Sequence, residues 1–391
     1  MVKKEKIVDL LALLILFLFG LNFYSNVLVW LLLMVIPVLV LTGKSVVVRG
    51  ELLLLFATML TYFIFGRNPN IYAAIRYLVG PSLFFYFGYL YSCKNHNDFL
   101  KITNCIYAMA VGFALQQFLT LYINFSTASN RYIPDFWNGE LIQPTNFNSR
   151  GIFIVALSYY AIKHESRKIQ KIVLIGSLCT VLLSSIMTAS RTNLYFFVSF
   201  FILDFLVESL ILRKLTPREI IRNGLNKKRV FFVLVVVLIG GIMCYRYSEM
   251  IIQWFMRSAI VERQESNVAR FSLSNDPRWI LWKDTIKMLW NNPMGDPTAM
   301  YAHNLILDTG RVAGVIPMAL MLFFACCQLQ KIVKICLRKS ELPLNQKVFI
   351  FSVVICLFMS FMIEPVLEGR PFVFVGACMV FGMTCSIKEK T

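Results

Sequence analysis

The sequence predicts an all-α, polytopic integral membrane fold of about twelve transmembrane helices, with a large extracytoplasmic loop before the tenth. Three observations predict it. Of the 391 residues, 58% are hydrophobic and only 15% carry charge. The apolar residues gather in runs close to the ~20 residues that a helix needs to cross the hydrocarbon core. The lysines, moreover, collect in alternate connections between those runs. A bilayer offers no water to backbone N–H and C=O groups, so a run of this length must close its hydrogen bonds within itself as helix.

The first run, 7–23, follows Lys3, Lys4 and Lys6 in the manner of a signal peptide. No small-x-small cleavage pattern follows it and similar segments recur downstream, so it is read as a retained first helix. Further helices are expected at 26–42, 51–66, 71–91, 102–125, 151–163, 170–188, 192–212, 230–246, 303–328, 347–364 and 371–386. Starting inside, alternate connections carry GKSVVVRGE, SCKNHNDFLK, KHESRKIQK, RKLTPREIIRNGLNKKR, the 331–347 stretch and the tail IKEK. With the basic start they hold 25 of the 39 Lys and Arg residues, which obeys the positive-inside rule and puts both termini in the cytoplasm. The net charge of +18 is therefore read as a topology signal, and no nucleic-acid partner is implied. One polytopic domain, 1–391, is expected, with a short outer loop at 126–150 and a large one at 247–302 that contains interfacial helices. The ten cysteines avoid both loops and read as small packing residues, with no sign of a disulfide framework. No internal repeat is obvious, so a transporter built from inverted repeats gains no support.

The outward side holds 12 Arg but only Lys283 and Lys287, whereas the inner side holds 18 Lys and 7 Arg. Topology needs only positive charge. An arginine bias points to a planar fork that binds phosphate or carboxylate, with snorkelling stems and local ion pairs as the plainer account. Arg76, Arg150, Arg191, Arg311 and Arg370 fall at helix ends or inside helices. A charge at membrane depth costs about 2.5–3.5 kcal/mol on insertion scales and usually faces a bundle interior or a watery cavity. Of three histidines, His96 and His164 lie in cytoplasmic connections, which leaves His303 alone outside. It stands where the large loop enters a helix; the positive end of the helix dipole favours a neutral ring there, as a general base requires.

Within the large loop, Asp276 can cap a helix with Pro277 at its first position. Trp279, Trp282, Ile286, Leu289 and Trp290 then recur at helical spacing, which suits a helix at headgroup level; 250–261 is a second such stretch. The shorter loop, NRYIPDFWNGELIQPTNFNSR, mixes amides with aromatics, a composition that suits sugar rings and exposed loops alike. Walker A, HExxH and CxxC patterns are missing, so no nucleotide site, metal or other cofactor is implied. Chemistry outside, away from cytoplasmic nucleotides, needs a donor activated in advance, such as a lipid-linked pyrophosphate.

Together these stretches resemble the O-antigen ligase and Wzy-type polysaccharide polymerase superfamily. TASRTNLYFF at 188–197 is similar to its Ser-Arg at a helix start. NDPRWILWKDTIKMLWNNPMG at 275–295 is similar to its Arg-x-x-x-Trp helix that ends at an Asn-Pro and a Gly. HNLILDTGRVAG at 303–314 is similar to its His-Asn-x-x-Leu-acid motif, and the helix count with a large loop before the tenth agrees. The resemblance covers roughly 150–320 and departs at Arg311 and Pro317. It implies a metal-independent glycosyltransferase of the bacterial cytoplasmic membrane. Lipid-linked oligosaccharides would serve as donor and acceptor among membrane lipids, with a flippase and a chain-length regulator as partners. His303 would be the base, Arg150, Arg191, Arg76 and Arg311 the pyrophosphate ligands, and Asn304, Arg278 and Trp282 would orient the histidine or the glycan. Polymerisation of repeat units, ligation of finished glycan to a lipid or protein, and, in a different class, transport of a glycolipid or anionic solute all stay open at this point.

Overall fold

The computed structural model describes residues 2–23, 26–43, 48–66, 70–94, 99–124, 133–163, 168–188, 190, 193, 196–200, 202, 277–337, 342–363, 366–369 and 371–387. Most of the helix expected at 192–212, that at 230–246, the 247–276 part of the large loop, Arg191 and Arg370 lie outside the described residues.

Among the described residues the chain is mostly helical. In order come α1 (Val2–Gly20), α2 (Val27–Thr42), α3 (Gly50–Phe65) and α4 (Ile71–Ala73), then a π-helical turn (Ala74–Val79) that runs into α5 (Gly80–Lys94). Next are α6 (Phe99–Ile123), β1 (Ile133–Pro134), β2 (Leu141–Ile142), α7 (Pro144–Ser149), α8 (Gly151–Lys163) and α9 (Lys168–Met187). The last part holds α10 (Pro277–Asn291), α11 (Leu305–Ala313), α12 (Val315–Leu337), α13 (Leu344–Ile363), α14 (Val366–Gly369) and α15 (Pro371–Cys385). Four stretches are long and apolar enough to cross a membrane: Thr103–Ile123, Lys168–Ser185, Val315–Cys336 and Asn345–Met362. Shorter apolar helices lie at Leu31–Thr42, Gly50–Phe65 and Pro371–Cys385. Leu10, Leu32, Ile172 and Phe323 are exposed on their surfaces, where a bilayer would cover them.

The closest helix pairs are α5 with α15 and α1 with α6, and both close on glycine. A Cβ on Gly382 would lie 2.0 Å from the Phe85 carbonyl oxygen, and one on Gly88 2.2 Å from that of Met379. On the other pair, a Cβ on Gly20 would lie 2.1 Å from the Met109 carbonyl oxygen, and one on Gly112 2.2 Å from that of Phe17. Lipid tails are as apolar as leucine, so helices in a bilayer gain by close backbone approach where small residues permit it. Phe19 packs against Phe84, Phe113 and Phe372, which joins the two pairs into one core.

Three local departures from the expected pattern shape the molecule. The helix expected at 71–91 contains the π turn: Pro81 has no N–H to give to Tyr77, and the Gly80 N–H reaches back five residues to Ile75. The single helix expected over 303–328 is two helices. Gly314 separates them at φ 93° and ψ −177°, a conformation open to glycine, and the Val315 N–H turns to the Pro293 carbonyl at 2.9 Å. A lone glycine does not interrupt a run of hydropathy, so the break was invisible to that signal. The stretch 133–150, read as loop, contains an antiparallel ribbon pairing Ile133 with Ile142 and Pro134 with Leu141, followed by α7.

The glycine contacts make a prediction. Gly382→Val should cost about 1–3 kcal/mol through overpacking, measured by unfolding in detergent, whereas Gly176→Ala, which meets nothing within 4 Å, should leave the midpoint unchanged.

Candidate functional site

The centre of the candidate site is a single carboxylate. Asn304 caps α11, its Oδ1 accepting from the N–H groups of Ile306 at 3.0 Å and Leu307 at 3.2 Å. His303 precedes the cap in the left-handed region at φ 55°. Asp308, one turn into α11, holds it there: Oδ1 accepts the Ala302 N–H at 2.7 Å and Oδ2 the Asn304 N–H at 3.0 Å. The N–H groups of both residues that neighbour His303 in sequence are thus tied to one side chain. A left-handed non-glycine residue costs about 1–3 kcal/mol and persists only where its surroundings over-determine it. The His303 side chain is half-buried, its ring centroid 6.5 Å from that of Tyr301.

Asp308 is itself held by Arg311, whose guanidinium is 1% exposed. Nε donates to Asp308 Oδ1 at 3.3 Å, Nη1 donates to the carbonyls of Pro297 and Ala299 at 2.9 Å each, and Nη2 donates to Glu368 Oε2. The Tyr301 ring lies 4.8 Å beneath the guanidinium carbon. Four of its five N–H donors are therefore engaged inside the chain. Sequence resemblance offered Arg311 as a pyrophosphate ligand; the structure places it as a strut that positions Asp308 and, through it, His303. The reason is local: Asp308 one turn back and the 297–299 carbonyls leave it little to offer a ligand.

Glu368 is the site residue that sequence reasoning missed. It lies in the short α14 between two apolar helices, and a lone acid in such a connection carries no motif. An acid facing an arginine-rich surface was the available clue. Burial raises the Glu368 carboxyl above its ordinary value, an effect that Arg311 only partly offsets. Its main-chain carbonyl accepts from Arg76 Nη2 at 2.9 Å, which joins the π turn to the same cluster. The Arg76 Nε is buried with no hydrogen-bond partner among the described residues.

Arg150 follows α7 and is 3% exposed. Its Nη1 donates to Gln116 Oε1 at 2.9 Å, and Gln116 Nε2 donates on to Asp135 Oδ2 at 3.0 Å. The guanidinium carbon stands 5.0 Å above the Phe372 ring, and Nε is buried without a hydrogen-bond partner among the described residues. The turn that carries Arg150 is secured by Asn148. Its Oδ1 accepts from Ser184 Oγ at 2.7 Å, Ser185 Oγ at 3.2 Å and Asn193 Nδ2 at 3.0 Å, while its Nδ2 donates to Thr188 Oγ1 at 2.7 Å. Gly151 packs directly on Asn193, where a Cβ would come within 2.1 Å of Oδ1. Asn193, two residues after Arg191, is thereby held to the Arg150 turn, while Arg191 itself lies outside the described residues. Glu368 and Phe372, four residues apart, carry the partners of Arg311, Arg76 and Arg150, which bounds that separation at about 14 Å.

The helix expected from Pro277 is present as α10, and it ends on the NNPMG turn. Gly295, at φ 78°, lies so close to α11 that a Cβ would sit 2.6 Å from the Gly310 carbonyl oxygen. Trp282 Nε1 donates to the Ala302 carbonyl at 2.8 Å, which fixes α10 to the peptide beside His303. Thr285 and Leu289 also turn inward, whereas Trp279, Ile286 and Trp290 are 53%, 56% and 87% exposed. Arg278 is exposed on the first turn of α10. Of the residues singled out from sequence, the structure brings His303, Asn304, Trp282, Arg311 and Arg76 into one hydrogen-bonded cluster and sets Arg150 in a neighbouring one.

A scan against models of known protein families and a search of curated proteins found no match to this chain.

The strut makes a stability prediction. Arg311→Met leaves the Asp308 and Glu368 carboxylates without their counter-ion and should cost about 3–5 kcal/mol in detergent unfolding, whereas exposed Arg278→Ala should fall within about 0.5 kcal/mol.

Proposed function

We propose that the chain is a membrane glycosyltransferase that polymerises undecaprenyl-pyrophosphate-linked oligosaccharide repeats on the outer face of the bacterial cytoplasmic membrane. In this reading about twelve helices span the bilayer, the loop before the tenth lies outside, and both termini lie in the cytoplasm. The observation that carries it is the clamped turn at His303: a half-buried histidine whose backbone is held at φ 55° by hydrogen bonds from the N–H groups of Ala302 and Asn304 to Asp308. Strain of this kind, maintained by a dedicated ion-pair lattice, is what a positioned base calls for. Support also comes from Arg150 and Arg76, whose buried Nε–H groups have hydrogen-bonding capacity to spare.

The chemistry follows from these groups. The His303 imidazole takes the proton of an acceptor sugar hydroxyl as its oxygen attacks the anomeric carbon of the donor. The bond from that carbon to the pyrophosphate oxygen breaks, and undecaprenyl pyrophosphate leaves with the electron pair. Arg150 and Arg76, with Arg191 close by in sequence to Asn193, stabilise the charge gathering on the leaving group. Asn304 and Trp282 act through the turn, by capping α11 and anchoring α10 beside His303. A single displacement from the face opposite the leaving group inverts the anomeric centre.

Ligation of finished glycan to a lipid or protein would use the same groups with another acceptor. Transport is a second reading that one observation favours, since the break at Gly314 makes a discontinuous helix of the kind found in transporters. A transporter would move the lipid-linked substrate and leave its glycosidic bond intact.

Purified protein given lipid-linked repeat units should yield a product ladder. His303→Ala should lower the rate of ladder formation by about 100-fold or more while the protein still reaches the membrane; an unchanged ladder removes the base. Arg150→Lys and Arg191→Lys should each fail as well, because lysine keeps the charge and loses the fork. NMR of the product linkage should show the donor configuration inverted, and retention would rule out a single displacement.

A further inference from the structure

We infer that the cavity between the end of α3, the π turn and α11 is a subsite for an uncharged sugar ring of the glycan substrate; that a glycan fills it rests on the glycosyltransferase reading. The cavity has a volume of about 210 Å³, and its walls include Tyr62, Phe63, Ala73, Tyr77, Val312 and Glu368.

Charge comes first. Among the described residues, Arg76 and Arg311 meet Asp308 and Glu368 beside this wall, and of these only Glu368 lines the cavity. An anion would face the Glu368 carboxylate, and that carboxylate already has Arg311 as its counter-ion, so a neutral ligand meets the least opposition. Hydrogen-bonding capacity comes second. The hydroxyls of Tyr62 and Tyr77 form no hydrogen bond among the described residues, although both side chains border the cavity. Glu368 gives Oε2 to Arg311, and no described residue bonds its Oε1. The cavity therefore offers a carboxylate acceptor and two hydroxyls that serve as donor or acceptor. A hydrocarbon chain would leave all of them unsatisfied, whereas a ring of hydroxyls both gives and accepts.

Shape agrees with this. The Tyr62 and Tyr77 rings meet edge to face at 5.5 Å and make a corner against which the C–H faces of a sugar can lie. The volume is below the range of about 300–1,000 Å³ typical of drug-sized ligands, which suits one ring rather than a lipid or a long oligosaccharide. The position is informative too: Val312 and Glu368 are the sequence neighbour and the ion partner of Arg311, which holds the His303 turn. A ring seated here would be registered against the same lattice that positions the proposed base.

The test uses the full-length protein in nanodiscs and two probes, the lipid-free repeat oligosaccharide prepared from the source cell's own surface polysaccharide and inorganic pyrophosphate, by calorimetry. Ala73→Leu, which fills the cavity, and Tyr77→Phe, which removes one hydroxyl, should each weaken oligosaccharide binding about tenfold or more and leave pyrophosphate binding unchanged. Arg150→Lys should do the reverse. Oligosaccharide binding that is equal in wild type and both variants, or undetectable in wild type, overturns the subsite. If the wild type also builds polymer and both variants keep the wild-type acceptor KM, the subsite falls while the glycosyltransferase reading stands. Loss of oligosaccharide binding in Tyr77→Phe in a protein that forms no polymer would keep the subsite and remove the glycosyltransferase reading. Should Ala73→Leu fail to fold, Tyr77→Phe carries the comparison alone.

Discussion

A guanidinium removed from water must find its hydrogen bonds within the protein, and Arg311 finds them in three separate parts of the chain. It draws in the carboxylate of Asp308 one turn earlier, the carbonyls of Pro297 and Ala299 in the preceding loop, and the carboxylate of Glu368 between the last two helices. Each of those partners then fixes something else. Asp308 clamps the N–H groups of Ala302 and Asn304 on either side of His303, the 297–299 carbonyls seat the end of the α10 loop, and the Glu368 main chain receives Arg76 from the π turn. Loss of one buried charge would therefore loosen several elements at once, because Arg311 and Asp308 are almost fully shielded from solvent.

The same economy appears around Arg150, with amides and hydroxyls in place of carboxylates. Asn148, Ser184, Ser185, Thr188 and Asn193 form a buried network that joins the turn before α8 to the end of α9. Gln116 and Asp135 tie the guanidinium to α6 and the small ribbon. Buried polar networks of this density rigidify when every member is satisfied. Among the described residues most members are satisfied, while the Nε of Arg150 and the Oδ1 of Asn193 have no hydrogen-bond partner.

Backbone geometry adds a second constraint. Gly295 and Gly314 bring the NNPMG turn against the end of α11 so closely that any side chain at either would strike backbone. The Asp296 N–H reaches the Arg311 carbonyl at 2.6 Å through that contact. The break at Gly314 and the slip at Pro81 are two places, among the described residues, where regular helix geometry yields.

What the sequence by itself determined is the material of the fold and the identity of several groups at the site. Apolar runs specified where helices form, because a backbone without water has no alternative, and α1, α2, α3, α6, α8, α9, α13 and α15 appear within a few residues of where those runs lie. Pro277 and its tryptophans marked α10, and the HNLILD stretch marked the turn with His303. Tertiary structure decided the rest. Hydropathy cannot register a single glycine break, so the division into α11 and α12 came only from the contact with Pro293. Nor can sequence spacing tell an arginine that binds a ligand from one that binds its own chain. Arg311 and Arg150 look alike as letters at helix ends; one engages four of its five donors with partners from distant segments, the other bonds Gln116 and has a buried Nε without a partner among the described residues, and only three-dimensional proximity separates them.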